Sequence, residues 1–308
     1  MATENNLSGY HIYRPEAWIL ASDEDASEFL QSQFSNDLSN LEVGDVKYGL
    51  WLDQRGKVHG DSFAFRAGKE EYFLMSYGTS QDTILNKLNR YIVADDVQLE
   101  GLAEKYRGVL LLGDGLKFVE TLDLSESGTA ILTVENETVY CFPGYRGQAA
   151  SIELICRAGA LPALVSLIAD RCPGINELSG ENIERLRIYS GYPKIPIDIG
   201  PTELPQEGGL ENNAVSFNKG CFLGQEVMSR LQSMGQVRRS LKIVSSEKTL
   251  DFGAPVYLGN KKVGVVKSSF VENGKTVGLA IISNNVSDES NFNVGEPESG
   301  NFLKIIHS

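Results

Sequence analysis

The texture of this chain changes at one place, and that change limits its architecture more than any other feature. Before Ser240, strand-like and helix-like segments alternate. Beyond it come only short β runs, Leu241–Val244, Pro255–Leu258, Val263–Val266 and Thr276–Ile282, parted by turns at Gly253, Gly259-Asn260 and Asn273-Gly274. Short, evenly spaced runs with such punctuation fold as a small all-β barrel or sandwich. A final strand, Phe302 to Ile306, is expected after a loop spanning Ser283 to Gly300 that is rich in Asn, Ser and Glu.

The part before Ser240 reads as two similar α+β halves. Trp18 to Ala21 is a short strand, and Ser22-Asp23-Glu24-Asp25 offers N-cap chemistry to a helix beginning at Ala26. Tyr48–Leu52 and Val58–Phe65 pair across the turn Asp53-Gln54-Arg55-Gly56-Lys57, with Gly56 near the position that needs positive φ. Glu71–Met75 adds a third strand, and Ile84, Leu85, Leu88 and Tyr91 recur at helical spacing over Ser80 to Tyr91. The second half repeats the logic with strands at Val109–Leu112, Ala130–Val134, Val139–Phe142 and Ile152–Ile155. Its helices run over Leu161–Ala169 and Ile183–Ser190. A chain of 308 residues exceeds one ordinary core. The expected division is 1–112, 113–240 and 241–308.

Several classes are argued against. No apolar run approaches the ~18 residues of a membrane span, and the first ten residues have neither a basic nor an apolar export region. Cys141, Cys156, Cys172 and Cys221 are widely spaced, which suits free thiols in a reducing compartment and makes the cytoplasm the expected location. His11, His59 and His307 form no ligand spacing with one another or with cysteine, so no metal or cluster site is expected. With 28 cations against 41 acids and a net charge of −13, the chain is poorly suited to nucleic acid. Yet Lys219, Arg230, Arg238, Arg239 and Lys242 face a single acid, Glu226, over residues 219–242. A local excess of this kind on an acidic protein suits a small anionic ligand.

That stretch also holds the densest chemistry in the chain, Asn218-Lys219-Gly220-Cys221-Phe222-Leu223-Gly224-Gln225-Glu226. Cys221 lies between glycines, near Lys219 and just ahead of a predicted helix, where a thiolate is favoured. It is a candidate nucleophile or redox residue, against the alternative of a small buried hydrophobe. Gly220 and Gly224 suit close backbone approach or positive φ. Gln225 and Glu226 are placed to hydrogen-bond across a domain junction.

The run Lys219 to Glu226 closely resembles the K-G-C-[YF]-x-G-Q-E motif of the YgfZ-type folate-binding proteins. These are relatives of the glycine-cleavage T-protein and of the mitochondrial factor that helps mature iron–sulfur proteins. Other segments agree with it: Leu30-Gln31-Ser32-Gln33 with Asn36-Asp37, the hairpin Leu52 to Val58, Leu186-Arg187 with Gly191-Tyr192-Pro193, and Leu210 to Phe217. The resemblance implies a T-protein-like ring of two interlocked α+β domains and a barrel around a central pocket for tetrahydrofolate or a derivative. It implies folate-binding roles for Arg187, Lys219, Gly220, Gln225 and Glu226, with Trp18 as a stacking face and Arg230, Arg238 and Arg239 as cations for the glutamate tail. Asp61 follows the hairpin where aminomethyltransferases carry two adjacent acids beside the reacting folate nitrogens; here the pair reads Gly60-Asp61. Gly144-Tyr145-Arg146-Gly147-Gln148 departs from the T-protein pattern G-Y-T-G-E, so Gln148 replaces the carboxylate expected at the pterin edge, while Glu153 still matches a family acid. The implied function is folate binding in support of iron–sulfur enzyme maturation or repair, reaching tRNA modification through those clients. The alternative is a folate-dependent aminomethyl or one-carbon transferase, which Asp61 favours and Gly60 and Gln148 oppose.

Overall fold

The computed structural model describes residues 7–146, 150–235 and 237–306. After β1 (Gly9–Tyr13), the strands β2 (Ala17–Ser22), β3 (Val46–Leu52), β4 (Val58–Gly68), β5 (Glu71–Ser76) and β6 (Gln98–Gly101) form one antiparallel sheet in the order β3-β4-β5-β2-β6. Alternation along β2 sets its two faces: Ala17, Ile19 and Ala21 turn outward to helices, and Trp18 turns inward. The helices α1 (Ala26–Gln33) and α2 (Gln81–Asn89) cover the outer face with Phe29, Leu30, Ile84 and Leu88. Ser80 caps α2 by accepting the Thr83 N–H at 3.2 Å. Asp25, placed to cap α1, makes no such bond; its carboxylate accepts the Asp96 N–H at 2.7 Å and ties down the loop before β6.

The second sheet takes β7 (Tyr106–Leu112), β8 (Ala130–Val134), β9 (Glu137–Pro143) and β10 (Ser151–Arg157) and completes itself with β1, in the order β1-β7-β10-β9-β8. A division at residue 112 therefore runs through this sheet. The physical reason is β7 itself: Val109 to Leu112 are buried on both faces, so the strand needs neighbours on both sides and finds β1 and β10. The strand β1 was not foreseen. The segment after β7 is a 3₁₀ helix over Gly113–Thr121, which with α3 (Leu161–Arg171) covers the outer face through Phe118, Leu164 and Ile168.

The inner faces of the two sheets meet in an aromatic core. Rings pair across it, Phe63 with Phe142 at 5.5 Å and Phe73 with Tyr140 at 5.0 Å. The helix α4 (Gly180–Tyr189), held at its start by a reciprocal Ser179–Asn182 cap, lays Ile183 and Leu186 on Leu110 and Leu112. Its far end places Ile188 against Ile243, Val277 and Leu279 of the C-terminal unit. Short helices α5 (Glu211–Ala214) and α6 (Gln225–Met234) lead to that unit. There β11 (Arg239–Ser246), β12 (Pro255–Leu258), β13 (Lys261–Glu272), β14 (Lys275–Ser283), β15 (Phe292–Val294) and β16 (Phe302–Ile305) close a barrel in the order β11-β14-β13-β12-β15-β16. Closure removes the exposed edges of a sandwich. Inside the stretch expected to be only loop, β15 forms because Phe292 is fully buried in the barrel core.

Candidate functional site

A cavity of about 180 Å³ opens where the rim of the first sheet meets α4 and the loop that follows it. Its walls come from β3 and β4 (Tyr48, Asp61), the loop after β5 (Tyr77, Gly78), the loop after β9 (Tyr145, Arg146), α4 (Glu184, Arg187) and Tyr192 to Ile195. Gly78 is required there, because a Cβ would lie 2.5 Å from the Ile195 carbonyl oxygen.

Asp61 is 6 % exposed and accepts hydrogen bonds from Ser76 Oγ at 2.6 Å, Thr79 Oγ1 at 2.9 Å and Tyr48 Oη at 3.0 Å. Burial raises its pKa, and the three donors oppose the rise without cancelling it. Burial and the neighbouring Asp61 carboxylate push the Tyr48 phenol well up, so Tyr48 stays a donor. The missing second acid has a steric cause. A Cβ on Gly60 would lie 2.7 Å from Thr79 Cγ2, so the side chain that donates to Asp61 occupies the space of its neighbour.

Arg187 is on the cavity wall and 8 % exposed. It donates to Glu184 Oε2 at 3.0 Å, to the Tyr192 carbonyl at 2.6 Å and to Asp198 Oδ2 at 2.6 Å. Burial works to lower its pKa, but the two carboxylates hold it above the ordinary value. Asp198, fully buried, also accepts the N–H and hydroxyl of Ser268 at 3.0 and 2.6 Å, which joins this wall to β13 of the barrel.

Glu153 lies behind the wall, fully buried on β10. Tyr13 and Tyr77 donate to it at 2.6 and 2.8 Å, and Arg146 Nε does so at 3.3 Å. Tyr145 stacks on Tyr48 at 5.2 Å and meets Tyr192 edge-on at 4.9 Å. Gln148 lies outside the described residues.

The structure does not bring the remaining sequence candidates to this cavity. Trp18 is fully buried between the sheets, stacked on Phe73 at 4.8 Å, and serves the core rather than a ligand face. Lys219 Nζ donates to the carbonyls of Gln31, Phe34 and Asn36 at 2.6, 2.7 and 2.8 Å, closing the C-terminal end of α1. Burial draws its pKa down to about 8. Gly224, at φ +87°, would place a Cβ 2.6 Å from the Asp53 carbonyl oxygen, so it lets α6 press on the β3–β4 turn; Gly220 has open space around it. Gln225 and Glu226 open α6, the latter exposed. Arg239 donates to Glu207 at 2.6 Å and to the Thr202 carbonyl at 3.0 Å, fastening the barrel to the 3₁₀ turn Pro205–Gly208. Arg230 and Arg238 are exposed and off the cavity wall. So is Cys221, whereas Cys141, Cys156 and Cys172 are buried.

Sequence reasoning passed over Tyr13, Tyr48, Tyr77, Glu184 and Asp198. Only the Glu184–Arg187 pair, three residues apart on one helix, carries a local signal. The others converge from separate strands and loops. No group of three or more potential metal ligands occurs among the described residues.

Comparisons with known proteins agree with this architecture. The chain is 23 % identical over 290 residues to an aminomethyltransferase of Staphylococcus carnosus, covering 86 % of this chain and 76 % of that one. It is 25 % identical over 301 residues to the tRNA-modifying protein YgfZ of Aliivibrio fischeri, covering 94 % and 90 % respectively. Its fold matches the crystal structure of glycine cleavage system aminomethyltransferase T from Bartonella henselae with a TM-score of 0.77, over 99 % of this chain and 86 % of that one, at 15 % identity. The fold of two α+β units with a barrel is thus that of the T-protein. The family described as the GCVT N-terminal domain matches residues 19–219, more than half of the chain, and the protein belongs to that family.

Proposed function

We propose that this protein binds tetrahydrofolate or a derivative, with the ring seated beside Asp61, and supports the maturation or repair of iron–sulfur enzymes, through which it bears on tRNA modification. The observation that carries the reading is the cavity itself, whose walls combine a buried carboxylate, several tyrosine rings and two guanidinium groups. A flat heteroaromatic ring with donors on one edge and acceptors on another fits such a set. Two residues of the wall each hold a buried polar atom, Arg146 Nη2 and Tyr192 Oη, that has no partner among the described residues and that a ligand acceptor or donor would satisfy. The enclosed volume of about 180 Å³ is below the ~300 Å³ at which whole ligands of drug size are enclosed. The ring is inside and the tail outside.

Asp61, Tyr48 and Arg187 orient the ring and exclude water from one face of it. Exposed and off these walls, Cys221 acts at the surface, toward a client or assembly protein, rather than on the folate. The competing reading, one-carbon transfer, draws on Asp61, a buried acid with a raised pKa on the wall of the cavity. Calorimetric titration with tetrahydrofolate followed by an assay for its methylene derivative separates them. Binding without turnover supports the proposal, turnover replaces it with the transferase, and absence of binding removes both.

A further inference from the structure

Arg146 is held on several sides and has one buried nitrogen, Nη2, without a partner among the described residues. Its guanidinium carbon lies 3.7 Å from the centroid of the Tyr77 ring and 4.3 Å from that of Tyr13. Nε is on Glu153, whose other contacts are the hydroxyls of the same two tyrosines. Carboxylate and rings together fix the plane of the guanidinium, so the remaining N–H groups have set directions. Arg146 and Tyr192 both line the cavity, and the Nη2 atom of the one and the hydroxyl of the other are buried without a partner among the described residues. A buried charged donor left unpaired costs more than the roughly 1–3 kcal/mol of a neutral one. A ligand acceptor would remove that cost.

We propose, resting on the folate reading, that Arg146 is a specificity-determining residue whose Nη2 donates to an acceptor oxygen of the bound ligand, with the Tyr192 hydroxyl contacting the same ligand. The acceptor is either the ring carbonyl or a carboxylate of the tail. Two variants isolate the donor. Arg146→Lys keeps a cation beside Glu153 and loses the second branch of the guanidinium. The double variant Arg146→Met with Glu153→Gln removes the buried charge together with its partner, so folding does not depend on an unpaired carboxylate.

Calorimetric titration of the full chain with tetrahydrofolate, and with tail-less tetrahydropterin, should show about a tenfold loss of tetrahydrofolate affinity in both variants, as one hydrogen bond to a charged group implies. A parallel loss for tetrahydropterin assigns the ring carbonyl, and a loss confined to tetrahydrofolate assigns the carboxylate. Unchanged affinity for both ligands in both variants overturns the assignment and leaves the folate reading standing. Thermal unfolding with benzoate, a small aromatic carboxylate, keeps the two ideas apart. If the wild-type chain takes up neither folate ligand but benzoate raises its Tm and not that of the variants, the donor assignment stands and the folate reading falls. If benzoate also leaves the wild-type Tm unmoved, both fall.

Discussion

Lys219 is a buried cation and Arg146 a partly buried one, yet one holds the chain and the other lines a cavity. All three N–H groups of Lys219 are spent on backbone carbonyls at the end of α1, and its segment is further stitched there by Ser216 N–H to the Ser35 carbonyl at 2.9 Å and Leu223 N–H to the Ser32 carbonyl at 3.2 Å. Arg146, on the cavity wall, is neutralised by Glu153, and its Nη2 has no partner among the described residues. The lesson concerns where recognition resides. The residues that stand out most in the sequence, the run from Lys219 to Gly224, close the fold around the hairpin and α1. Recognition falls to a less conspicuous residue with a donor still open.

If that division is right, the largest loss of stability should come from the Lys219 segment. Lys219→Met leaves three carbonyls unpaired in a buried place and should destabilise by about 3 kcal/mol, read as a shift in the urea midpoint. Gly224→Ala should cost a similar order, since it combines a strained φ with a Cβ pressed on Asp53. A small stability change with a large loss of tetrahydrofolate affinity would instead return Lys219 to the ligand.

Arg239 tests the same division at the barrel. Arg239→Ala should cost about 1 kcal/mol, because the side chain is partly exposed while Glu207 is left buried. Tetrahydrofolate affinity and its salt dependence should not change. A steeper loss of affinity at low salt than at high salt would show that Arg239 reaches the ligand's tail after all.

Asp61 gives a smaller effect with a defined sign. Its native pKa is above the unfolded value near 3.8. Between those two values the native state binds the extra proton, so stability falls as pH rises through the window and stays at the lower level beyond it. Asp61→Asn should flatten that slope and change stability at pH 7 by under about 1 kcal/mol. Urea midpoints at pH 4 and pH 7 decide it. A large loss at pH 7 would mean that the ionised carboxylate, not just an oxygen acceptor, holds Ser76, Thr79 and Tyr48.

How much of this was legible follows from how local each cause is. The β3–β4 turn was readable because Gly56, at φ +71°, announces it, and α2 because Ile84 and Leu88 repeat at helical spacing. The closed barrel was readable from short runs and glycine turns. By contrast, β1 is largely half-buried and pairs with a strand about a hundred residues away, and β15 is only three residues long. In the site, Asp61 and Arg187 were named and lie on the cavity wall. Glu153 was named as well, but Tyr13 and Tyr77, which surround it with Arg146, come from strands and loops distant in sequence, so no spacing announces their meeting. The partners of the cations in residues 219–242 are not legible from composition: Lys219 binds backbone carbonyls, which leave no mark there, and Arg239 binds Glu207, an acid outside that stretch.

Cys221 is the mildest test and the one that bears on how the Lys219 segment can both close the fold and act. It is exposed while Cys141, Cys156 and Cys172 are buried. Burial pushes Cys141 and Cys156 up to about 12 and about 11, which further suppresses their thiolates at neutral pH. Limited alkylation followed by mass-spectrometric mapping should therefore mark Cys221 first. Because the thiol is exposed and off the cavity wall, Cys221→Ser should shift stability by no more than about 0.5 kcal/mol and leave tetrahydrofolate affinity intact. Restoration of iron–sulfur enzyme activity in cells lacking the protein should nevertheless be lost, since the proposed surface chemistry needs sulfur. Full restoration by the serine variant would reduce the whole segment to a packing role, and a matching loss of folate affinity would place the thiol nearer the cavity than its exposure indicates.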